Sequence, residues 1–223
     1  MKLIPTQDGS YTLENAAGVS YHSRAGALGE SQHVYLAASQ LAVRLAAGGG
    51  GGPVCLLEVG LGTGLNFALS AQLCTDLAAQ HPHASLHYTT YETEPPGPDL
   101  LAAFYQPLPP GLHAWAEQVY AQPAGSRGSV HWDVRQRPWP DLAGPHPSPG
   151  FDLIYYDAFG PKDAPALWTP EVLGYTLSLL KPGGCLVTFS INGATKRFLK
   201  TGGYAYETPR GYGYKREMLI VHG

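Results

Sequence analysis

Leu56-Leu57-Glu58-Val59-Gly60-Leu61-Gly62-Thr63-Gly64-Leu65-Asn66 decides how this chain is read. A short apolar run from Val54 ends in an acidic residue, three glycines follow at every second position, and a helix-like segment starts near Asn66. The run has the length and character of a buried parallel strand, the glycines those of a tight loop, and the remainder those of the first helix of an α/β unit. Ligands of open α/β sheets bind at the carboxyl ends of the strands, and this loop sits at one.

The glycine spacing narrows the ligand. A dinucleotide fingerprint requires a third small residue, but counting from Gly60 that place is Leu65 and from Gly62 it is Phe67. A phosphate-binding P-loop requires Gly-Lys-Ser/Thr, and Gly64 is followed by Leu65-Asn66. What remains, Glu-x-Gly-x-Gly-x-Gly, resembles motif I of the class I S-adenosylmethionine (SAM) methyltransferases. Gly60, Gly62 and Gly64 let backbone approach a cofactor closely. The helix N-terminus favours a carboxylate, and Glu58 favours the ammonium and sulfonium end. A plain glycine-rich turn before a helix is the competing explanation of the loop taken alone.

The chain has 223 residues, enough for one domain with a real core. Its residues are 44% hydrophobic and 14% charged, so disorder is disfavoured despite 28 glycines and 20 prolines. Cys55, Cys74 and Cys185 form no C-x-x-C pair and stand among apolar neighbours, which points to reduced thiols in a cytoplasmic protein and away from a zinc site. No apolar run is long enough to span a bilayer, and no secretory h-region follows Met1-Lys2-Leu3-Ile4-Pro5. The net charge of −3 argues against nucleic acid, but six of the 14 basic residues fall between Lys196 and Arg216, which gives a local basic edge compatible with RNA. A solvated surface with no partner fits that charge equally well.

In chain order, residues 4–20 alternate as a hairpin around Asp8-Gly9-Ser10, residues 21–30 form a loop, and residues 31–47 carry helical spacing. Five glycines at 48–52 link this segment (1–47), which covers the site, to the core at 53–223. The second strand, 86–91, ends at Glu92, placed to accept two hydrogen bonds from a ribose diol. The third, 129–134, ends near Asp133, a position where methyltransferases often hold the adenine amino group. The proline-rich segment 137–149 is a loop. The fourth strand, 151–157, ends in Asp157-Ala158-Phe159-Gly160-Pro161, beside the first strand at the switch point. An acidic side chain there can orient a nucleophilic amine or accept its proton; capping the following turn is the alternative role for Asp157. A helix at 170–180 stops at Lys181-Pro182-Gly183-Gly184, a fifth strand runs 185–190, and strands at 204–208 and 217–221 close the chain as an antiparallel hairpin. The expected fold is α/β: a Rossmann-like class I methyltransferase with a mostly parallel seven-stranded sheet.

Four stretches together are more specific than the class: Glu-x-Gly-x-Gly-Thr-Gly-Leu-Asn-Phe at 58–67, Asp157-Ala-Phe-Gly-Pro161 leading to Leu167-Trp168, Lys181-Pro-Gly-Gly184, and Gly211-Tyr-Gly-Tyr-Lys-Arg-Glu-Met-Leu219. From about Tyr21 onward, including Leu28-Gly29-Glu30 and Val34-Tyr35-Leu36, the chain resembles the methyltransferase domain of the MnmC family and its stand-alone form, often called MnmD. The resemblance implies transfer of methyl from SAM to 5-aminomethyl-2-thiouridine at the tRNA wobble position, giving 5-methylaminomethyl-2-thiouridine. It also implies a separate FAD-dependent oxidoreductase that exposes the amine. Asp157 is then the catalytic residue, and Tyr21 and Glu30 close over the cofactor. Phe159, Pro161 and Trp168 form the base pocket, although Trp168 could equally be core packing. Lys162 lies in the loop that grips RNA, which departs from the fused proteins because Asp163 follows it. Lys215 and Arg216 meet tRNA phosphates. Rival expectations are a methyltransferase of a small amine or protein, and a non-catalytic RNA-binding module on the same fold.

Overall fold

The computed structural model describes residues 1–140 and 150–223, so the expected loop at 137–149 lies mostly outside the described residues. Strands β1 (Lys2–Pro5) and β2 (Tyr11–Glu14) form a separate antiparallel hairpin. Asp8 closes its turn, its Oδ1 accepting from the Ser10 amide at 3.0 Å, while its Oδ2 accepts from Gly29 N at 3.0 Å. One short carboxylate thus pins the hairpin to helix α1 (Ala27–Glu30).

The expected helix at 31–47 is two pieces. Residues Ser31–Ala37 form a π-helix, with Ala38 N donating to His33 O at 3.3 Å, and α2 is Leu41–Ala47. Gln40 between them has φ 56°, the one described non-glycine residue in the left-handed region. Apolar spacing cannot register such a break, because both pieces bury the same face: Val34, Tyr35, Leu41 and Leu45 share one hydrophobic cluster.

The main sheet is built from β3 (Val54–Val59), β4 (Leu86–Tyr91), β5 (Ala124–Arg127), β6 (Val130–Arg135), β7 (Phe151–Tyr156), β8 (Leu180–Thr188), β9 (Tyr206–Glu207) and β10 (Leu219–His222). Its order is β5-β6-β4-β3-β7-β8-β10-β9. The five central strands from β6 to β8 pair in parallel, and β10 and β9 complete it antiparallel. The sheet therefore has eight described strands where seven were expected. The addition is β5, an edge strand turned back on β6 through Gly128 at φ 57°. Its sequence, Ala-Gly-Ser-Arg, carries no strand signal, and its pairing comes from the turn.

Side-chain alternation splits the sheet into two faces. Leu56, Tyr88, Trp132, Leu153 and Tyr155 share a cluster with helices α3 (Leu65–Ala78) and α5 (Pro110–Ala121). Leu57, Val59, Ile154, Tyr156, Leu186 and Val221 pack with α6 (Pro170–Ser178) and α7 (Gly193–Thr201) on the other side. Helix α4 (Pro98–Tyr105) adds Leu101 and Phe104 to the first cluster. Glu58 has the parity of Leu56, so it points beneath α3 and is fully buried. Asp157 continues the parity of Leu153 and Tyr155 to the same side. Register pairs Glu58 with Thr90 on one flank and Tyr155 on the other. Both acids are thus delivered to one place by strand geometry alone. Among the described residues no helix is long and apolar enough to cross a membrane.

The left-handed backbone at Gln40 predicts opposite outcomes for two substitutions. Gln40→Val is expected to lower unfolding free energy in urea by about 1–2 kcal/mol, whereas Gln40→Gly should leave it unchanged or raise it.

Candidate active site

The glycine loop needs its glycines. Gly60, Gly62 and Gly64 have φ of 92°, 55° and 75°, a region costly to other residues. A Cβ on Gly60 would stand 2.9 Å from the Asp157 carbonyl oxygen, and one on Gly62 would stand 3.1 Å from the Tyr21 ring. The loop is braced from every side. Glu92 Oε2 accepts from Gly62 N at 2.7 Å, and Tyr105 donates to the Thr63 carbonyl at 3.1 Å. The Tyr120 hydroxyl donates to the Gly62 carbonyl. His22 Nε2 and Thr63 Oγ1 share a 3.0 Å hydrogen bond.

Above this loop a cavity of about 280 Å³ opens at the carboxyl ends of the parallel strands. Gly60, Leu61 and Gly62 form its floor after β3, and Glu92, Thr93 and Glu94 its wall after β4. Asp157, Ala158 and Phe159 enter after β7, Phe189 after β8, and Tyr21 and His22 from the N-terminal segment. Arg137 and Trp139 follow β6. Three acidic residues and one arginine face a mostly apolar space.

Behind the floor lies a buried polar layer. Asn66 Nδ2 donates to Glu58 Oε1 at 3.0 Å and to Asp157 Oδ2 at 2.8 Å. Thr90 donates to Glu58 Oε2 at 3.2 Å, and the Tyr35 hydroxyl donates to Asp157 Oδ1. Burial pushes the Glu58 carboxyl up to about 8 despite these donors, and pushes Asp157 well above the carboxylate range, with Glu58 and Glu30 adding to the rise. Burial holds His22 down to about 4, hence neutral. Burial, with Glu92 and Glu94 nearby, lifts Tyr21 to about 12.

The cavity gathers Tyr21, Gly60, Gly62, Glu92, Asp157 and Phe159 from the expected set. Glu58 and Asn66 stand one layer behind it, and Gly64 starts α3. The other expected residues lie elsewhere. Glu30 Oε1 accepts from Lys215 Nζ at 2.6 Å and its Oε2 from Ser23 N at 2.6 Å, so it ties the C-terminal loop to the N-terminal segment. Lys215 also sits 3.8 Å above the centre of the Phe189 ring. Asp133 lies inside β6 and pairs with Arg135 at 2.9 Å, on the face turned from α3. Strand alternation carries it away from the cavity. Trp168 is buried against Tyr156 and donates from Nε1 to the Phe159 carbonyl at 2.8 Å, so it holds the cavity wall from behind. Pro161 is half-buried, and Lys162 and Arg216 are exposed. Sequence reasoning missed His22, Tyr35, Arg137, Trp139 and Phe189. Of these only Tyr35 had a signal, in the Val34-Tyr35-Leu36 stretch.

A family described as S-adenosyl-L-methionine-dependent methyltransferase matches residues 143–222. The chain is 34% identical over 221 residues to the "tRNA 5-methylaminomethyl-2-thiouridine biosynthesis bifunctional protein MnmC" of Pseudomonas aeruginosa, covering 93% of this chain and 33% of that protein. The protein of the same name from Chromobacterium violaceum is 32% identical over 235 residues, covering 97% of this chain and 33% of that one. The chain is MnmC-like. It spans about one third of the length of these curated relatives. The crystal structure of MNMC2 from Aquifex aeolicus has the same fold, with a TM-score of 0.83 and 24% identity over 99% of this chain and 70% of that one. The MnmC-like chain is an α/β protein of the class I methyltransferase type, and the cofactor of the matched family is S-adenosyl-L-methionine.

The residues present fit that cofactor. Glu92 offers carboxylate lone pairs to a ribose diol, and one of its oxygens is already fixed by the Thr93 and Glu94 amides, both at 2.8 Å. The bare glycine backbone permits close approach. The acidic lining favours a cation over an anion.

Gly60→Ala should therefore weaken SAM binding at least about ten-fold by titration calorimetry, through the clash at the Asp157 carbonyl. Glu58 gives a pH prediction. Its folded value, about 8, lies above its ordinary 4.5, so the folded chain retains a proton that the unfolded chain has released. The stability from this group is complete below about pH 4.5 and is lost as pH rises towards 8, at up to about 1.4 kcal/mol per pH unit. Urea unfolding at pH 5 and 8 should show that slope in the native chain and a flatter one in Glu58→Gln.

Proposed function

We propose that this chain transfers the methyl group of SAM to the primary amine of 5-aminomethyl-2-thiouridine at the tRNA wobble position, giving 5-methylaminomethyl-2-thiouridine. The similarity along nearly the whole chain to proteins named for that nucleoside supports the substrate. The observation that carries the chemistry is Asp157, which lines the cavity beside Gly60 and whose carboxyl is held at both oxygens by Tyr35 and Asn66.

When bound, the cofactor supplies a methyl carbon made electrophilic by its sulfonium; the amine lone pair forms the new N–C bond as the S–C electron pair returns to sulfur. The protein aligns the two partners and handles the proton. Glu92 and the glycine loop fix the nucleoside end. Tyr21 and Phe159, in edge contact at 5.1 Å, close the cavity over the reacting centre and exclude water. One N–H of the amine points at a free lone pair of Asp157, which takes the proton as the nitrogen gains its methyl. Burial raises the proton affinity of that carboxyl, so its ionised form is the stronger base and is populated towards higher pH. Phe159 offers the aromatic surface for the splayed uracil. The exposed Lys162 and Arg216 lie where phosphates could reach them, while Lys215 braces the site through Glu30. The amine must be exposed by an oxidative step performed by another domain or a separate FAD-dependent protein, in the cytoplasm where tRNA is modified.

Incubation with labelled SAM and tRNA lacking this methyl group should place label on the wobble uridine alone, as read by nucleoside analysis. Label on another nucleoside, or turnover with a small amine and no RNA, would replace the substrate. Asp157→Asn should lower kcat at least about 100-fold with SAM affinity retained. Lys162→Ala with Arg216→Ala should raise KM for tRNA about ten-fold and flatten its salt dependence.

A further inference from the structure

We infer that Tyr35 is a positioning residue for the methyl-transfer step: its hydroxyl, delivered by the π-helical turn, fixes the Asp157 carboxyl at the cavity's edge and favours the ionised form that receives the amine proton. The inference rests on the reading of Asp157 as proton acceptor.

Three features carry it. The first is geometric. Asp157 follows the last residue of β7 and could rotate freely about its side-chain bonds. Two donors on different elements remove that freedom: Asn66 Nδ2 on α3 at Oδ2, 2.8 Å away, and the Tyr35 hydroxyl at Oδ1. A carboxylate held at both oxygens keeps its remaining lone pairs in fixed directions.

The second is the cost of the arrangement. Tyr35 is 1% exposed, and its ring packs on Tyr155 at 5.2 Å. A phenol this deep needs a partner, and Asp157 supplies it. Ser39 instead pairs with Tyr155, with a 3.2 Å separation between the hydroxyls. The i→i+5 hydrogen bond from Ala38 to His33 widens the helix across Tyr35. Such turns recur at functional sites.

The third is electrostatic. The groups facing Asp157 from the elements around it are Glu58 on β3, Tyr88 on β4, Glu30 on α1, and Tyr35 itself. Burial, Glu58 and Glu30 all raise Asp157, while the hydrogen bonds from Tyr35 and Asn66 lower it. Lys215 is paired with Glu30. Donation from Tyr35 is therefore a principal influence opposing protonation of the carboxyl. Without it Asp157 would hold its proton to higher pH and could not accept another.

The test compares the native chain with Tyr35→Phe, which removes one oxygen and keeps the ring. The Asp157 carboxyl is followed by carbon NMR in carboxyl-labelled protein, assigned by its loss in Asp157→Asn. Its titration midpoint should move to higher pH in Tyr35→Phe. The acidic limb of kcat/KM for tRNA should move with it: activity falls about ten-fold at pH 6.5 and approaches the native value near pH 9, while SAM affinity is unchanged. Fluorotyrosine at position 35 strengthens the donor and should move both in the opposite direction. This second variant keeps the packing if the phenylalanine variant folds poorly. An unmoved midpoint in either variant, or equal loss of activity at all pH values, overturns the inference. If the native chain methylates no tRNA, the substrate reading fails, and the NMR midpoints still decide what Tyr35 does.

Discussion

One side-chain amide holds two carboxyl groups together at the centre of this molecule. Asn66 gives both N–H bonds of its amide away, one to Glu58 and one to Asp157. Each acid reaches that point by strand parity: Glu58 on β3 and Asp157 just past β7, both turned towards α3. Two ionised carboxylates this close to one amide in a dry site would repel strongly. The arrangement is stable because burial raises the proton affinity of both carboxyls, so the site does not have to hold two negative charges at once. The glycine loop, the first turn of α3 and the ends of two neighbouring strands are consequently one unit.

The cofactor cleft is assembled around that unit from segments far apart in the chain. The N-terminal segment supplies Tyr21 and His22 to the cavity and Tyr35 to the layer behind it. It is not an independent flap, since Leu13, Val34, Leu41 and Leu45 belong to the same buried cluster as Val54, Leu56 and Leu65. Closing forces are therefore hydrophobic as well as polar. The aromatic residues divide the labour. Tyr105 and Tyr120 hold loop carbonyls from behind, Trp168 holds the Phe159 carbonyl, and Tyr21 and Phe159 face the space itself.

The fold was legible because its determinants are local. The strand at 54–59, the glycines at positive φ and the acid after the second strand are each set by neighbours in sequence, and so were the strand at 151–156 and the closing antiparallel pair. Where the chain departed from expectation, the cause was long-range or conformational. β5 has no strand-forming residues and exists because a turn at Gly128 folds it onto β6. The break at Gln40 interrupts no hydrophobic pattern. Asp133 and Glu30 were placed by analogy, but strand alternation and a partner 185 residues away set where their side chains go. His22 could not have been picked out, since its partner Thr63 lies 41 residues further on and no spacing links them.

The bond between Lys215 and Glu30 has a consequence for biosynthesis. Glu30 is made early and ends up 3% exposed, yet the ammonium that compensates it is added 185 residues later. Until then, a growing polypeptide has no means to seat that acid in an apolar setting without cost. The N-terminal segment thus gains its cationic partner only once residue 215 has been added, which couples its docking to the late loop that carries Lys215.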